Sequence, residues 1–317
     1  MKEIGGYLEL EQLVSNEYYP NLIALNTARN ALVYLLKARK IQKVYLPYFL
    51  CDSVSKICQR EGYAYEYYAV KHDFTPDFEK TLAVGEYLYI VNYYGQITNE
   101  TIVLFKEKYK NIIIDNVQAF FQPPVEGVDT LYSCRKFFGV PDGAYLSTDC
   151  MLCDTLKTDV SANRLKHLLG RLECGSASDY YSDFQENDES FSTVELKYMS
   201  KLTHNLLGAV DYEKVKRQRE NNFQFLHQNL KEHNKLTLNI PIGAYAYPFY
   251  CENGADLRNK LVEKRIYVPT LWPNVLHSID RLAAEYAKNI LPLPVDQRYD
   301  EKDLERVIDC IKSEVNS

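Results

Sequence analysis

No stretch of the sequence approaches the roughly 18 consecutive apolar residues of a membrane-crossing helix. Net positive charge is also missing. The formal charge is −6, which argues against a nucleic-acid or anionic-membrane partner. The opening residues, Met1-Lys2-Glu3-Ile4-Gly5-Gly6, lack the apolar core of a secretion signal, so the cytosol is the expected location. Eight cysteines are present, but only Cys150 and Cys153 form a Cys-x-x-Cys pair. A zinc site would want a second such pair or nearby histidines, so no metal is expected and the thiols read as ordinary reduced cysteines. There is no internal repeat and no low-complexity tract.

What remains is an ordinary globular composition, 46% hydrophobic and 25% charged, over 317 residues. That length suits two domains better than one. Tyrosine is abundant at 27 residues, with pairs at Tyr18-Tyr19, Tyr67-Tyr68, Tyr93-Tyr94 and Tyr180-Tyr181 that suit an amphipathic surface such as a subunit interface.

Between residues 20 and 150 strands alternate with helices. A helix opens at Thr27, and a strand over Lys43–Leu46 ends at Pro47. A helix over 51–60 leads to a strand over Tyr63–Val70. A strand over Glu86–Asn92 and a helix over Thr98–Tyr109 precede Asn111–Ile114. Further short strands lie near 130–132 and 143–147. This alternation implies βαβ units, hence the α/β class with a mostly parallel mixed sheet and helices on both faces. Gly175–Ser192 reads as a long mobile loop. A helix carrying Val194, Leu196, Met199, Leu202 and Leu206 follows, then another from Asp211 to His233. The remainder reads as a small C-terminal α+β domain, with strands near 244–250 and 266–268 and a final helix from Asp300 to about Glu314 striped by Leu304, Val307, Ile308 and Ile311. Residues 1–210 are therefore expected to form the large domain, and 211–317 a linking helix and the small domain.

Chemistry concentrates in two short segments. Ile112-Ile113-Ile114 makes a buried strand with Asp115 at its carboxyl end, where ligands bind in parallel sheets. About twenty residues on, Leu131-Tyr132 leads into Ser133-x-x-Lys136. A carboxylate and a lysine on one sheet edge suit pyridoxal 5'-phosphate: the acid can hold the pyridine nitrogen protonated, and the amine can condense with the aldehyde. Read alone, Asp115 could equally cap the next helix, and Arg135-Lys136 could be a solvated basic pair. Lys136 does precede Phe137-Phe138-Gly139, an apolar setting that suits imine chemistry. Gln118 could reach the ring's phenolic oxygen or face solvent. Thr27 could cap its helix or also touch the phosphate, with Ser133 near the same group. Tyr48, Phe49, Tyr93 and Tyr94 are candidates to stack on the ring, or are core aromatics.

Taken in order, these motifs resemble the DegT/DnrJ/StrS family of pyridoxal-phosphate-dependent aminotransferases, of fold type I. The resemblance rests on Asn92-Tyr93-Tyr94-Gly95-Gln96, on Asp115 with Gln118, and on Ser133 with Lys136 followed by Asp142-Gly143-Ala144. It continues through Met199-Ser200 and Leu291-Pro292-Leu293-Pro294, and so covers nearly the whole chain. It implies a homodimer with a shared active site, Lys136 as the catalytic lysine, and a cofactor held by Asp115, Gln118, Ser133, Thr27, Ala28, Arg29 and Tyr93. It also implies small-molecule substrates, an amino donor such as glutamate and a keto acceptor, possibly a nucleotide-linked keto sugar. The alternatives are another reaction on the same cofactor, such as dehydration, or a degenerate ligand-binding relative. The chain departs from the family where Ser-Gly-Thr is replaced by Thr27-Ala28-Arg29, where Cys51 replaces an aromatic, and where Leu196 stands in the place of an asparagine.

Overall fold

The computed structural model describes residues 6–315; the first five residues, read above for a leader, lie outside them. Eight strands share one mixed sheet: β1 (Ile23–Leu25), β2 (Lys43–Pro47), β3 (Ala64–Val70), β4 (Pro76–Asp77), β5 (Glu86–Val91), β6 (Ile112–Asp115), β7 (Asp129–Ser133) and β8 (Ala144–Ser147). Their order is β1-β8-β7-β6-β5-β2-β3-β4. The centre, from β7 through β6, β5 and β2 to β3, is parallel. β8 runs antiparallel to β7, β1 antiparallel to β8, and β4 antiparallel to β3.

Parallel neighbours need crossovers; helices supply several of them, and a loop joins β6 to β7. α1 (Ala28–Ala38) joins β1 to β2, α2 (Asp52–Arg60) joins β2 to β3, and α3 (Asn99–Tyr109) joins β5 to β6. Strands covered on both faces read as continuous apolar runs, as at Ile112-Ile113-Ile114, all three buried. Thr27 starts α1 by accepting from the Asn30 amide, and Thr98 starts α3 by accepting from the Thr101 amide.

The second half holds α4 (Lys166–Cys174), α5 (Tyr181–Ser190), α6 (Lys201–Gly208), the long α7 (Tyr212–Leu230), α8 (Gly254–Glu263), α9 (Arg281–Asn289) and α10 (Glu301–Val315). A two-stranded antiparallel sheet pairs β9 (Ala246–Tyr250) with β10 (Ile290–Pro294). Leu226 and Leu230 of α7, Leu257 and Leu261 of α8, Leu291 and Leu293 of β10, and the Leu304, Val307, Ile308 and Ile311 stripe form a second core beside the main one. No helix among the described residues is long and apolar enough to cross a membrane.

Three sequence expectations fail. The segment expected to be a long loop, Gly175–Ser192, carries the helix α5 and follows directly on α4. Gly175 closes α4 at φ +68, and Gly170 lets the Tyr180 ring approach where a Cβ would sit 2.2 Å from it. The Lys166–Asp183 ion pair, at 2.8 Å, joins the two helices. Residues 194–199 are extended rather than helical: the Met199 amide donates to the Ala24 carbonyl and the Tyr198 amide to Lys157. Residues 266–268 form no strand; β9 pairs with β10, whose two prolines argue against a strand by propensity.

Candidate active site

The carboxyl ends of β2, β5, β6 and β7 lie on one edge of the sheet, because these strands are parallel. β1 reaches the same edge, being two antiparallel steps from β7. The loops leaving that edge begin with Asn26-Thr27, Tyr48-Phe49, Asn92-Tyr93-Tyr94, Asn116-Val117-Gln118 and Cys134-Arg135-Lys136. Thr27, Asp115, Gln118, Ser133 and Lys136, far apart in sequence, are gathered there.

Asp115 is buried, and its carboxylate is held on both oxygens. The Tyr89 hydroxyl donates to Oδ2 at 2.7 Å and the Val117 amide to Oδ1 at 2.9 Å. Burial raises its pKa above the ordinary carboxylate value. The Lys136 ammonium, the Tyr89 hydroxyl and the Val117 amide oppose that rise without cancelling it. Lys136 thus lies near enough to Asp115 for its charge to act on the carboxylate. Asp115 does not cap a helix: a turn follows it, and its carboxylate is bound two residues on.

Lys136 lies half-buried in a tight turn, with Nζ 5.5 Å from the centre of the Tyr245 ring. The turn is built by the Phe137 and Phe138 amides donating to the Cys134 carbonyl, at 3.0 and 2.9 Å. Two side chains from later in the sequence grip it. Arg219 of α7 and Gln297 both donate to the Phe137 carbonyl, at 3.1 and 2.9 Å. Arg219 is fully buried, and burial lowers its pKa to about 10. Asp142, also fully buried, ties the far end of the turn to α6. It accepts from the Ser200 amide at 3.1 Å and the Ser200 hydroxyl at 2.8 Å, and from the Thr203 hydroxyl. The Asp142-Gly143 and Met199-Ser200 motifs thus meet as one support for the lysine.

Gln118 is buried with half of its amide unused. Its Oε1 accepts from the Tyr94 amide at 2.8 Å, while its Nε2 has no partner among the described residues. The buried Tyr94 hydroxyl likewise has none. An unpaired buried donor costs about 1–3 kcal/mol, so such a group suits a ligand that supplies an acceptor. A phenolic oxygen opposite Gln118 Nε2 is such an acceptor, and an acid, a lysine and an unpaired donor together fit pyridoxal phosphate.

Thr27 Oγ1 is committed to capping, accepting from the Asn30 amide at 3.0 Å. Ala28 and Arg29 are half-buried in the first turn of α1, and half-buried Ser133 ends β7. Tyr93 is packed with the core aromatics, stacked on Phe49 at 5.1 Å and edge-on to Trp272 at 5.8 Å. Cys51 stands half-buried at the start of α2. Sequence reasoning missed Tyr89, Arg219 and Gln297. Tyr89 alone carried a signal: it lies on the strand beside β6, where Tyr89 pairs with Ile113. Two surface cavities lie elsewhere. One of about 390 Å³ includes Tyr34, Tyr198 and His204, and one of about 200 Å³ includes His72, Gln96 and Asn239.

No protein-family model matches the sequence, and no curated protein matches it significantly. Solved structures do match in fold. A DegT DnrJ EryC1 StrS aminotransferase from Brucella abortus is 16% identical with a TM-score of 0.62, over 93% of this chain and 86% of that one. The sugar aminotransferase CalS13 from Micromonospora echinospora is 12% identical with a TM-score of 0.63, over 93% and 87%. NtdA from Bacillus subtilis, solved with bound PMP cofactor, is 14% identical with a TM-score of 0.66, over 93% and 73%. The chain therefore has the fold of these aminotransferases, the fold type I architecture expected from its motifs.

Proposed function

We propose that the protein is a pyridoxal-phosphate-dependent aminotransferase. The observation that carries this reading is the convergence of Lys136, Asp115 and the unpaired amide of Gln118 on the carboxyl edge of the parallel sheet. When bound, the cofactor supplies an electron sink for a carbanion.

The chain's own groups perform the rest. Lys136 Nζ, on its braced turn, would be the base that carries a proton between the substrate carbon and the cofactor. Asp115 would hold a proton at the ring nitrogen, and the Tyr89 hydroxyl and Val117 amide fix its carboxylate for that contact. Gln118 Nε2 would donate to the phenolic oxygen. Thr27, Ala28, Arg29 and Ser133 would hold the phosphate, and Tyr93 would help to wall the ring.

The substrates are an amino donor, with glutamate the first choice, and a keto acceptor. The likeness to CalS13, called a sugar aminotransferase, favours a keto sugar, carried on a nucleotide in this reading. A homodimer with a shared site is supported by exposed apolar residues along the N-terminal arm, Tyr7, Leu8, Leu10 and Val14. The large domain spans 1–210 and the small domain 211–317, and the cytosol is the location. The test is a visible absorption spectrum of the protein with pyridoxal phosphate. Glutamate should bleach the long-wavelength band and release 2-oxoglutarate in stoichiometric amount. A band that glutamate and other amino acids leave unchanged would remove the aminotransferase reading.

A further inference from the structure

α5 carries an acid to the arginines that border the lysine turn. Asp188 Oδ1 accepts from Arg135 Nη1 at 3.1 Å, and Oδ2 lies 4.0 Å from Arg29 Nη2. Arg135 immediately precedes Lys136, and Arg29 is the second residue of α1, whose free amides face the same edge. The Arg135 guanidinium lies 4.3 Å from the centre of the buried Phe191 ring. Arg164 approaches that ring at 5.4 Å and is held by Asp159 at 2.9 Å. Three guanidiniums thus gather beside the lysine turn. Two of them share a single, half-exposed carboxylate, which can give each of them little.

Besides Asp188, this end of α5 is held by the buried Phe191 ring and by Asn187, whose Nδ2 donates to the Pro141 carbonyl at 3.3 Å. The buried Oδ1 of Asn187 has no partner among the described residues.

We infer that Arg29 and Arg135 form a clamp for a phosphoryl group, and that Asp188 occupies this clamp until a phosphoryl group displaces it and frees the end of α5. A phosphate monoester carries about −1.5 to −2 charges and three acceptor oxygens, so it can engage both guanidiniums where a carboxylate divides itself between them. The cofactor reading supplies the first bearer of that phosphate, and the inference rests on it to that extent. The diphosphate of a nucleotide is the other source of the same chemistry.

The experiment compares wild type with Asp188→Asn, which keeps the side-chain shape and removes the charge. Binding of pyridoxal phosphate, pyridoxal and uridine diphosphate is titrated by quenching of Trp272 fluorescence. Hydrogen exchange over 181–191 is followed in wild type with and without inorganic phosphate. The variant should bind pyridoxal phosphate on the order of three- to tenfold more tightly and pyridoxal with unchanged affinity. Inorganic phosphate should speed exchange in α5. A gain for uridine diphosphate instead of pyridoxal phosphate supports the clamp and assigns it to the substrate. Unchanged or weaker binding of both phosphate-bearing ligands in the variant overturns the inference, as does α5 exchange that ignores phosphate. If neither protein takes up pyridoxal phosphate while phosphate still loosens α5, the cofactor reading fails and the clamp stands.

Discussion

The Tyr89 hydroxyl donates to Asp115 Oδ2 across 2.7 Å, from the strand next to the one that ends in Asp115. This bond and the Val117 amide aim the carboxylate, but they do not offset its burial, so its pKa stays above the ordinary 3.8. An acid with a raised folded pKa costs stability when ionised. The cost is absent below 3.8 and complete once the pH exceeds the folded value. Asp115→Asn removes that charge and can still accept from Val117. It should therefore melt at or above the wild-type temperature at neutral pH, measured without cofactor. Amine transfer from glutamate should fall on the order of a hundredfold or more, because an amide cannot hold the ring nitrogen protonated. A variant that melts like wild type and turns over like it would leave Asp115 with a structural role alone.

Gly143 sets the far end of the lysine turn. Its φ is +114, and a Cβ there would lie 3.0 Å from Thr203 Cγ2 and 3.3 Å from Cys134 Cβ. The Gly143 amide donates to the Asn26 carbonyl at 2.7 Å, and its own carbonyl accepts from Cys134 at 3.1 Å, so the backbone has little room to yield. Gly143→Ala should cost about 1–3 kcal/mol, read as a fall of several degrees in Tm. An alanine variant with unchanged Tm would show that the turn is not constrained as described.

Glu17 fastens the N-terminal arm to the body of the fold. Its Oε1 lies 2.6 Å from His204 Nδ1, and its Oε2 accepts from the Tyr145 hydroxyl. The bond to Glu17 raises the His204 pKa against burial, while burial of Glu17 is outweighed by His204 and Tyr145, which lower it. The His204 contribution is full below 6.5 and is lost as pH rises through its folded value. The Glu17 contribution is full above 4.5 and is lost as pH falls through its folded value. Their pair is strongest between those limits. The difference in Tm between wild type and His204→Gln should be largest there and shrink towards about pH 8. A difference that stays constant from pH 5.5 to about 8 would contradict the pairing.

Much of this site was legible before any coordinates. Ile112-Ile113-Ile114 announced a central strand because a strand buried on both faces needs no polar alternation, and Asp115 marked its end. The α10 stripe was equally plain. What sequence hid depends on tertiary partners. Arg219 is one of several polar residues in α7, and only the Phe137 carbonyl opposite makes it a buried brace. α5 is rich in serine and acids, and the partners of its carboxylates, Arg135 and Lys166, lie outside it in the sequence. β10 carries two prolines, and it is a strand because β9 lies beside it.

The central claim is that Lys136 holds the cofactor, with Asp115 and Gln118 placed around it. The most direct measurement is borohydride reduction of the protein incubated with pyridoxal phosphate, followed by proteolysis and mass mapping of the labelled peptide. One stoichiometric label on Lys136 is expected, and Lys136→Ala should abolish it. A stoichiometric label on any other lysine, or no label above that of Lys136→Ala, would contradict the account.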